Sequence, residues 1–472
     1  MTVKDCVTDD VVRIKSKTSR DDCSVSRMLS EDQSRSVLFE DLDGGWALGN
    51  RFSTRDKIAK ALGIDPAGIV QHILEANDRP APCELVEDAP SLKNELPLDL
   101  TALPIPKYFP EDGGRYISSG IIVAEYKGRK NVSFHRMMIA GPDSIAVRLV
   151  PRHLFTMYRE AKSAGEELKI SIVIGAPAEV LLAAATSTDY GEDELEIASA
   201  MSIKGHGHPL RVGRCDNGIL VPADADYVLE GRITLEEMDE GPFVDITGTY
   251  DFVRRQPIIK IDRIRSCDDP IMHILLPGGW EHYLLMGLPR EPMIFKSVRS
   301  AVPGVTNVRL TEGGCCWLNG VVSVRKNKDG DGVNAGLAAL SGHTSMKQVI
   351  VVDDDIDIFD DREVEWAVAT RMQADRIITI PGAAGSSLDP SSHGKKTWKV
   401  VYDATIPFDE DRAAFEKAKL RSRYPGGRRL TGLRNPRRDS WNRMLGVESN
   451  PFTLIFILYF NEAIAYDDAN GA

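Results

Sequence analysis

The sequence predicts a multi-domain α/β chain: a small α/β domain first, a β-rich barrel or sandwich second, and another α/β domain third. Three observations carry this. At 472 residues the chain is long enough for two or three hydrophobic cores. Its middle is crowded with short β-rich runs broken by Gly, Pro and Asp turns. On either side, strand-like and helix-like stretches alternate, the pattern of strands covered by helices.

Taken in order, SVLFEDL (36–42) reads as a strand, Gly44 and Gly45 as a turn, and STRDKIAKALG (53–63) as a capped helix ended by glycine. Residues 79–110 are polar, extended and proline-rich, a linker or a wrapping arm. These form the first region, 1–110. From 111 to 305 come YISSGIIVAEY, NVSFHRMMIA, SIAVRLV, KISIVIG, GILVPADADYVLEGRI and PIIKIDRIR, with one helix expected at HLFTMYREAKSAG (153–165). In 306–420, VVSVRK, QVIVVDDDIDI, EVEWAVATRM and RIITIP resemble βαβ units over a parallel sheet. Residues 421–472 hold eight arginines between Arg421 and Arg443 and then FTLIFILYF, a basic and apolar tail of uncertain order rather than a domain.

Composition narrows the function. The chain is 42% hydrophobic and 27% charged, and its net charge of -12 argues against nucleic acid as a partner, because phosphate backbones select a basic surface. A local basic pocket for a small anion is still compatible with it. Seven cysteines without a CxxC pair, and an N-terminus lacking an apolar core, point to reduced thiols and a cytoplasmic protein. The FTLIFILYF run is too short for the roughly 18 apolar residues of a membrane span.

Four short motifs carry chemistry-bearing side chains. In NVSFHR (131–136), Asn131 and Ser133 share one strand face, and Arg136 points to the other unless the strand ends or bends. VPRH places Arg152 and His153 at the opening of a helix. GEDELEIASAM puts Glu194 at a helix start, where the dipole favours acids. EGPFVD sets Glu240 and Asp245 on either side of a Gly-Pro turn that no helix interior tolerates, so both acids can face one cavity. Each motif taken singly is ordinary: a strand end, a capped helix, a solvated loop. The aspartates at 353–355 and 357 read as helix-capping acids more readily than as a metal site, and GHGHP (205–209) as a loop.

In this order and company, the motifs resemble those of the UbiD family of reversible decarboxylases, which use prenylated FMN. The resemblance extends through VPADADYVLEGRI, GPFVDITGTYD, VVDDDID with WAVATRM, and KVVYDAT, covering roughly residues 30–420. It implies a central split β-barrel that binds flavin. Asn131, His153 and Glu194 would hold Mn²⁺ or Mg²⁺ against the flavin phosphate, with K⁺ as an optional further ion. Ser133, Arg136, Arg152 and Lys399 would join these three in binding the cofactor. Arg136, Glu240 and Asp245 would form the catalytic trio, Asp245 standing where many members carry Glu.

The texture of the N-terminal segment is similar to that of archaeal members. This implies decarboxylation of trans-anhydromevalonate 5-phosphate to isopentenyl phosphate in a mevalonate route. An aromatic acid of the 4-hydroxybenzoate type is the alternative substrate. A flavin-holding protein without catalysis is the alternative of another class, and it would need no acid opposite an arginine. The resemblance also implies a separate flavin prenyltransferase as cofactor supplier, and a homodimer or homohexamer.

Overall fold

A computed structural model describes residues 2–392 and 396–418. The basic, apolar tail expected over 421–472 lies outside the described residues. Up to Phe415 the chain forms one compact unit.

Its centre is a nine-stranded antiparallel sheet. The strand order is Tyr116–Ile117, Met137–Ile139, Ser144–Val147, Arg254–Ser266, Tyr227–Glu240, Leu168–Ile174, Ile121–Tyr126 and Arg129–Phe134, with Asn94–Leu96 adding to Arg254–Ser266. The outermost strands, Tyr116–Ile117 and Arg129–Phe134, do not pair with each other, so the sheet is open and the described residues form no closed barrel.

Alternate residues feed different cores. Ile122 and Ala124 pack with Ile145, Ile170, Ile172 and Leu229 on one face, while Ile121 and Val123 pack on the other with helices Ala178–Ala184 and Glu194–His206. Both faces are buried, which is why runs such as GIIVA and ISIVI are apolar throughout rather than alternating.

The N-terminal sheet contains Val12–Ile14, Val37–Leu42 and Gly45–Gly49, as the SVLFEDL strand predicts. Its fourth strand comes from far along the chain: Ile271–His273 lies parallel to Gly45–Gly49. Helix Arg55–Leu62 begins at Thr54, whose side chain accepts from the Lys57 amide, and ends at Gly63 with φ +68°. The proline-rich stretch is a wrapping arm. Glu84–Leu85 pairs with Arg211–Arg214, and Asn94–Leu96 extends the central sheet.

The C-terminal sheet departs from the expected parallel one. Asn319–Val324, Gln348–Asp353 and Lys396–Asp403 are parallel, but the edge strands Val305–Leu310 and Ile377–Ala384 run antiparallel. The aspartates after Gln348–Asp353 do not cap the next helix; Asp360 does. Asp353 is buried against Arg371 (3.2 Å) and the Ile406 amide (2.7 Å), and Asp355 accepts from Arg371 Nη2 at 2.7 Å. Arg371 thus pairs with two of the acids that looked like a capping or metal cluster, while Asp354 pairs with Arg325 at 2.8 Å. The GHGHP segment ends its helix at His206 and turns through Gly207 at φ +81°, the expected loop.

Candidate active site

The strand Arg129–Phe134 stops two residues short of Arg136, and this break lets the arginine leave the face its parity assigns. Arg136 then meets the end of strand Tyr227–Glu240. Its Nε donates to Glu240 Oε1 and its Nη2 to Glu240 Oε2, both at 2.9 Å, a two-pronged pair that fixes the guanidinium plane. Glu240 is fully buried, and Tyr116 Oη donates to its Oε1 at 3.1 Å.

Beyond Glu240 the chain turns through Gly241, at φ +101°, and a cis Gly241-Pro242 bond. Gly113 packs against this turn so tightly that a Cβ there would lie 2.3 Å from the Gly241 carbonyl oxygen. The turn returns Asp245 to Arg136, with Nη1 to Asp245 Oδ2 at 3.4 Å and to Asp251 Oδ2 at 3.0 Å. Burial disfavours the Arg136 charge, yet Glu240, Asp245 and Asp251 together hold its pKa above the usual guanidinium value. Asp245 is 24% exposed against none for Glu240, so one acid anchors the arginine while the other faces open space.

A second group forms on the same strand. Asn131 Nδ2 donates to Glu194 Oε1 (3.0 Å), the Val132 amide to Glu194 Oε2 (2.8 Å), and Thr188 Oγ1 to Glu194 Oε1 (3.0 Å). Among the described residues no cationic side chain hydrogen-bonds to this buried carboxylate, and burial raises its pKa to about 7.

Ser133 Oγ lies 2.9 Å from both Asn131 Oδ1 and His135 Nε2. Burial drives the His135 pKa down to about 4, so the ring is neutral; its Nδ1 donates to the Arg148 carbonyl (3.0 Å), which leaves Nε2 as an acceptor. The single Ser133 proton can serve only one of its two neighbours, so when it goes to Nε2 both Asn131 Oδ1 lone pairs remain available. An amide oxygen and an uncompensated carboxylate fit a hard divalent cation. His153, opening helix His153–Ser163, contacts the Tyr190 ring at 5.5 Å in the turn that carries Thr188, and makes no direct hydrogen bond to Asn131 or Glu194.

A third group is cationic. Arg290 is buried, its Nη1 donates to Ser187 Oγ, and its Nε has no hydrogen-bond partner among the described residues. Burial, and Arg152 beside it, bring its pKa down to about 10. Burial and then the charges of Arg290, Lys399 and Arg152 push His343 to about 3. Lys399, also buried, donates to the Thr344 carbonyl at 2.5 Å. Cations with an orphaned buried N–H fit an anion such as a flavin phosphate.

The structure therefore brings Arg136, Glu240 and Asp245 together, joins Asn131, Ser133 and Glu194, and places Arg152, Arg290 and Lys399 within electrostatic reach of the buried His343. Sequence reasoning passed over Asp251, which sits in the GTYD segment as an isolated acid. It also passed over Arg290 in LPREP, where a neighbouring proline and glutamate suggest only a helix start.

The chain thus carries an arginine caged by acids, a cation-suited amide–carboxylate pair and a cluster of cations suited to an anionic ligand. Comparison with known proteins gives this site a family. Residues 9–76, 75–280 and 283–404 match the N-terminal, Rift-related and C-terminal domains of 3-octaprenyl-4-hydroxybenzoate carboxy-lyase. The chain belongs to the UbiD family.

Among curated relatives, anhydromevalonate phosphate decarboxylase of Methanocaldococcus jannaschii is 45% identical over 84% of this chain and 94% of its own length. The protein of the same name from Archaeoglobus fulgidus is 41% identical over 82% and 89%. Among solved structures, the UbiD-class enzyme HmfF from Pelotomaculum thermopropionicum in complex with FMN superposes with a TM-score of 0.84 at 35% identity, covering 87% of this chain and 94% of that one. An evolved dimeric form of that enzyme, in complex with prenylated FMN, matches at 0.80 and 31%, covering 89% and 97%.

Proposed function

We propose that the protein is a prenylated-FMN-dependent carboxy-lyase that converts trans-anhydromevalonate 5-phosphate to isopentenyl phosphate and CO₂. The observation that carries it is the Arg136 cage, with Glu240 fully buried and Asp245 partly exposed on the same guanidinium. The archaeal relatives named for this reaction support the choice of substrate. We read the open nine-stranded sheet as a split barrel around the flavin. Asn131, His153 and Glu194 would hold Mn²⁺ or Mg²⁺, and Lys399, Arg152 and Ser133 would lie near the flavin phosphate.

An alkenoic acid has no ready place for the electrons left when CO₂ departs; the prenylated flavin, when bound, supplies that sink. The remaining work falls to the chain. Glu240 orients Arg136, whose guanidinium positions the substrate carboxylate by charge-assisted hydrogen bonds. Asp245 holds a proton through CO₂ loss and delivers it to the carbon that bore the carboxylate, so that C–H replaces C–COO⁻. Solvent water then restores the Asp245 proton, so one proton is taken up for each CO₂ released.

The test is co-expression with a flavin prenyltransferase, followed by measurement of the bound-cofactor spectrum, metal content and CO₂ release with the phosphorylated acid. The loaded protein should release CO₂ in step with isopentenyl phosphate. Glu194→Ala should emerge with most of the metal and cofactor lost. Full retention of both would remove Glu194 from the cofactor site, and absence of CO₂ release from loaded wild type would overturn the proposed reaction.

A further inference from the structure

We propose that Arg148, supported by Arg254, binds the phosphate end of the substrate whose carboxylate is positioned by Arg136; this rests on the phosphorylated-acid reading above. Strands Met137–Ile139 and Ser144–Val147 pair with Met137 opposite Val147, and one step further the Arg148 amide donates to the Arg136 carbonyl at 3.2 Å. Residues facing each other across an antiparallel ladder project to the same side, so two arginines stand together at the site. Like charges opposed in this way are destabilising unless an anion lies between them.

The protein supplies one such anion, Asp251, but shares it three ways. Its Oδ2 is 3.0 Å from Arg136 Nη1, 2.5 Å from Arg254 Nη1 and 4.0 Å from Arg148 Nε. Arg148 has the poorest share. Its guanidinium makes a single long hydrogen bond, Nη1 to the Leu149 carbonyl at 3.4 Å, and no hydrogen bond to a carboxylate among the described residues. Its side chain is 21% exposed, so it is largely covered yet still reachable from solvent. Burial, and then Arg254 and Arg136 beside it, lower its pKa, as befits a cation short of a counter-ion.

The spacing suits a second anion on the same small molecule. Arg148 and Arg136 both approach the Asp251 oxygen, so their facing nitrogens are no farther apart than those two distances laid end to end. A short acid with a carboxylate at one end and a phosphoester at the other can bridge that gap. The Nε and Nη2 of Arg148, neither of them in a hydrogen bond among the described residues, form the planar fork that takes two phosphate oxygens at once. This grip is separate from the Arg152, Arg290 and Lys399 group, which fits the cofactor's own phosphate.

The test is calorimetric titration of the cofactor-loaded enzyme with the phosphorylated acid and with the hydroxy acid lacking the phosphate, in wild type, Arg148→Met and Arg148→Lys. Wild type should prefer the phosphorylated acid by about tenfold or more. Arg148→Met should erase that preference, and Arg148→Lys should keep part of it. Arg148→Gln carries the same expectation as Arg148→Met should the latter fail to fold.

A preference that survives in the Met or Gln variant overturns the proposal. So does an equal loss for both ligands, which would place Arg148 at the carboxylate or in the fold, or a wild type without preference. A wild type that prefers the phosphorylated acid but releases no CO₂ would defeat the proposed reaction and leave this phosphate site standing.

Discussion

Asp226 sits at the junction of the N-terminal and central sheets, 2% exposed, with its Oδ1 accepting from the Ile271 amide at 2.9 Å. Burial raises its pKa to about 6 against the partial relief of Ile271, Arg51 and His273. Between about pH 4 and pH 6 the folded chain keeps a proton here that the unfolded chain has released. Stability therefore falls as pH rises through that window, by up to about 1.4 kcal/mol per pH unit for one group. Asp226→Asn removes this dependence. Measured by urea unfolding, its stability relative to wild type should rise between pH 4 and pH 6, whatever its baseline; a constant difference across that range would contradict the reading.

At the same scale, Arg136, Glu240 and Asp245 were legible in the sequence because each sits in a short motif whose order along the chain carries information. Asp251 and Arg148 were not. Their place beside Arg136 comes from cross-strand pairing and a shared oxygen, which no local spacing encodes.

Elements written in local code were the most readable. The helix Arg55–Leu62 has both signals in sequence, Thr54 at its start and Gly63 in the left-handed region after its end. Thr54→Ala should cost about 1 kcal/mol in chemical unfolding, because it strips the partner from the Lys57 amide. Thr54→Ser should cost much less, and equal losses would remove the cap from the explanation. The Gly-Pro turn was also readable, since glycine and proline together demand a reversal there.

Strand direction was less so. The C-terminal edge strands are antiparallel although their apolar runs look like those of the parallel middle, because both kinds are buried and β-branched. The aspartates at 353 and 355 were misjudged for a related reason: their partner, Arg371, lies at the far end of the following helix, beyond the reach of motif spacing.

At the scale of the whole molecule, the site depends on segments far apart in sequence, 63 residues for Asn131 and Glu194 and more than a hundred for Arg136 and its acids. Arg136 meets Glu240 and Asp245, and Asn131 meets Glu194, only because the central sheet reorders its strands so that early and late segments become neighbours. The N-terminal sheet takes its last strand from Ile271–His273 by the same long-range logic. The order of regions was visible from texture, but this exchange of strands was not, because parallel pairing over such a separation leaves no local mark.

The central claim is that Asp245, held by Arg136 but partly open, delivers the proton. Asp245→Asn keeps size and polarity and cannot donate a carboxylic proton. With cofactor occupancy confirmed by absorbance, its CO₂ release should fall by about 10²–10⁴-fold relative to wild type. Near-wild-type turnover by fully loaded Asp245→Asn would contradict the account.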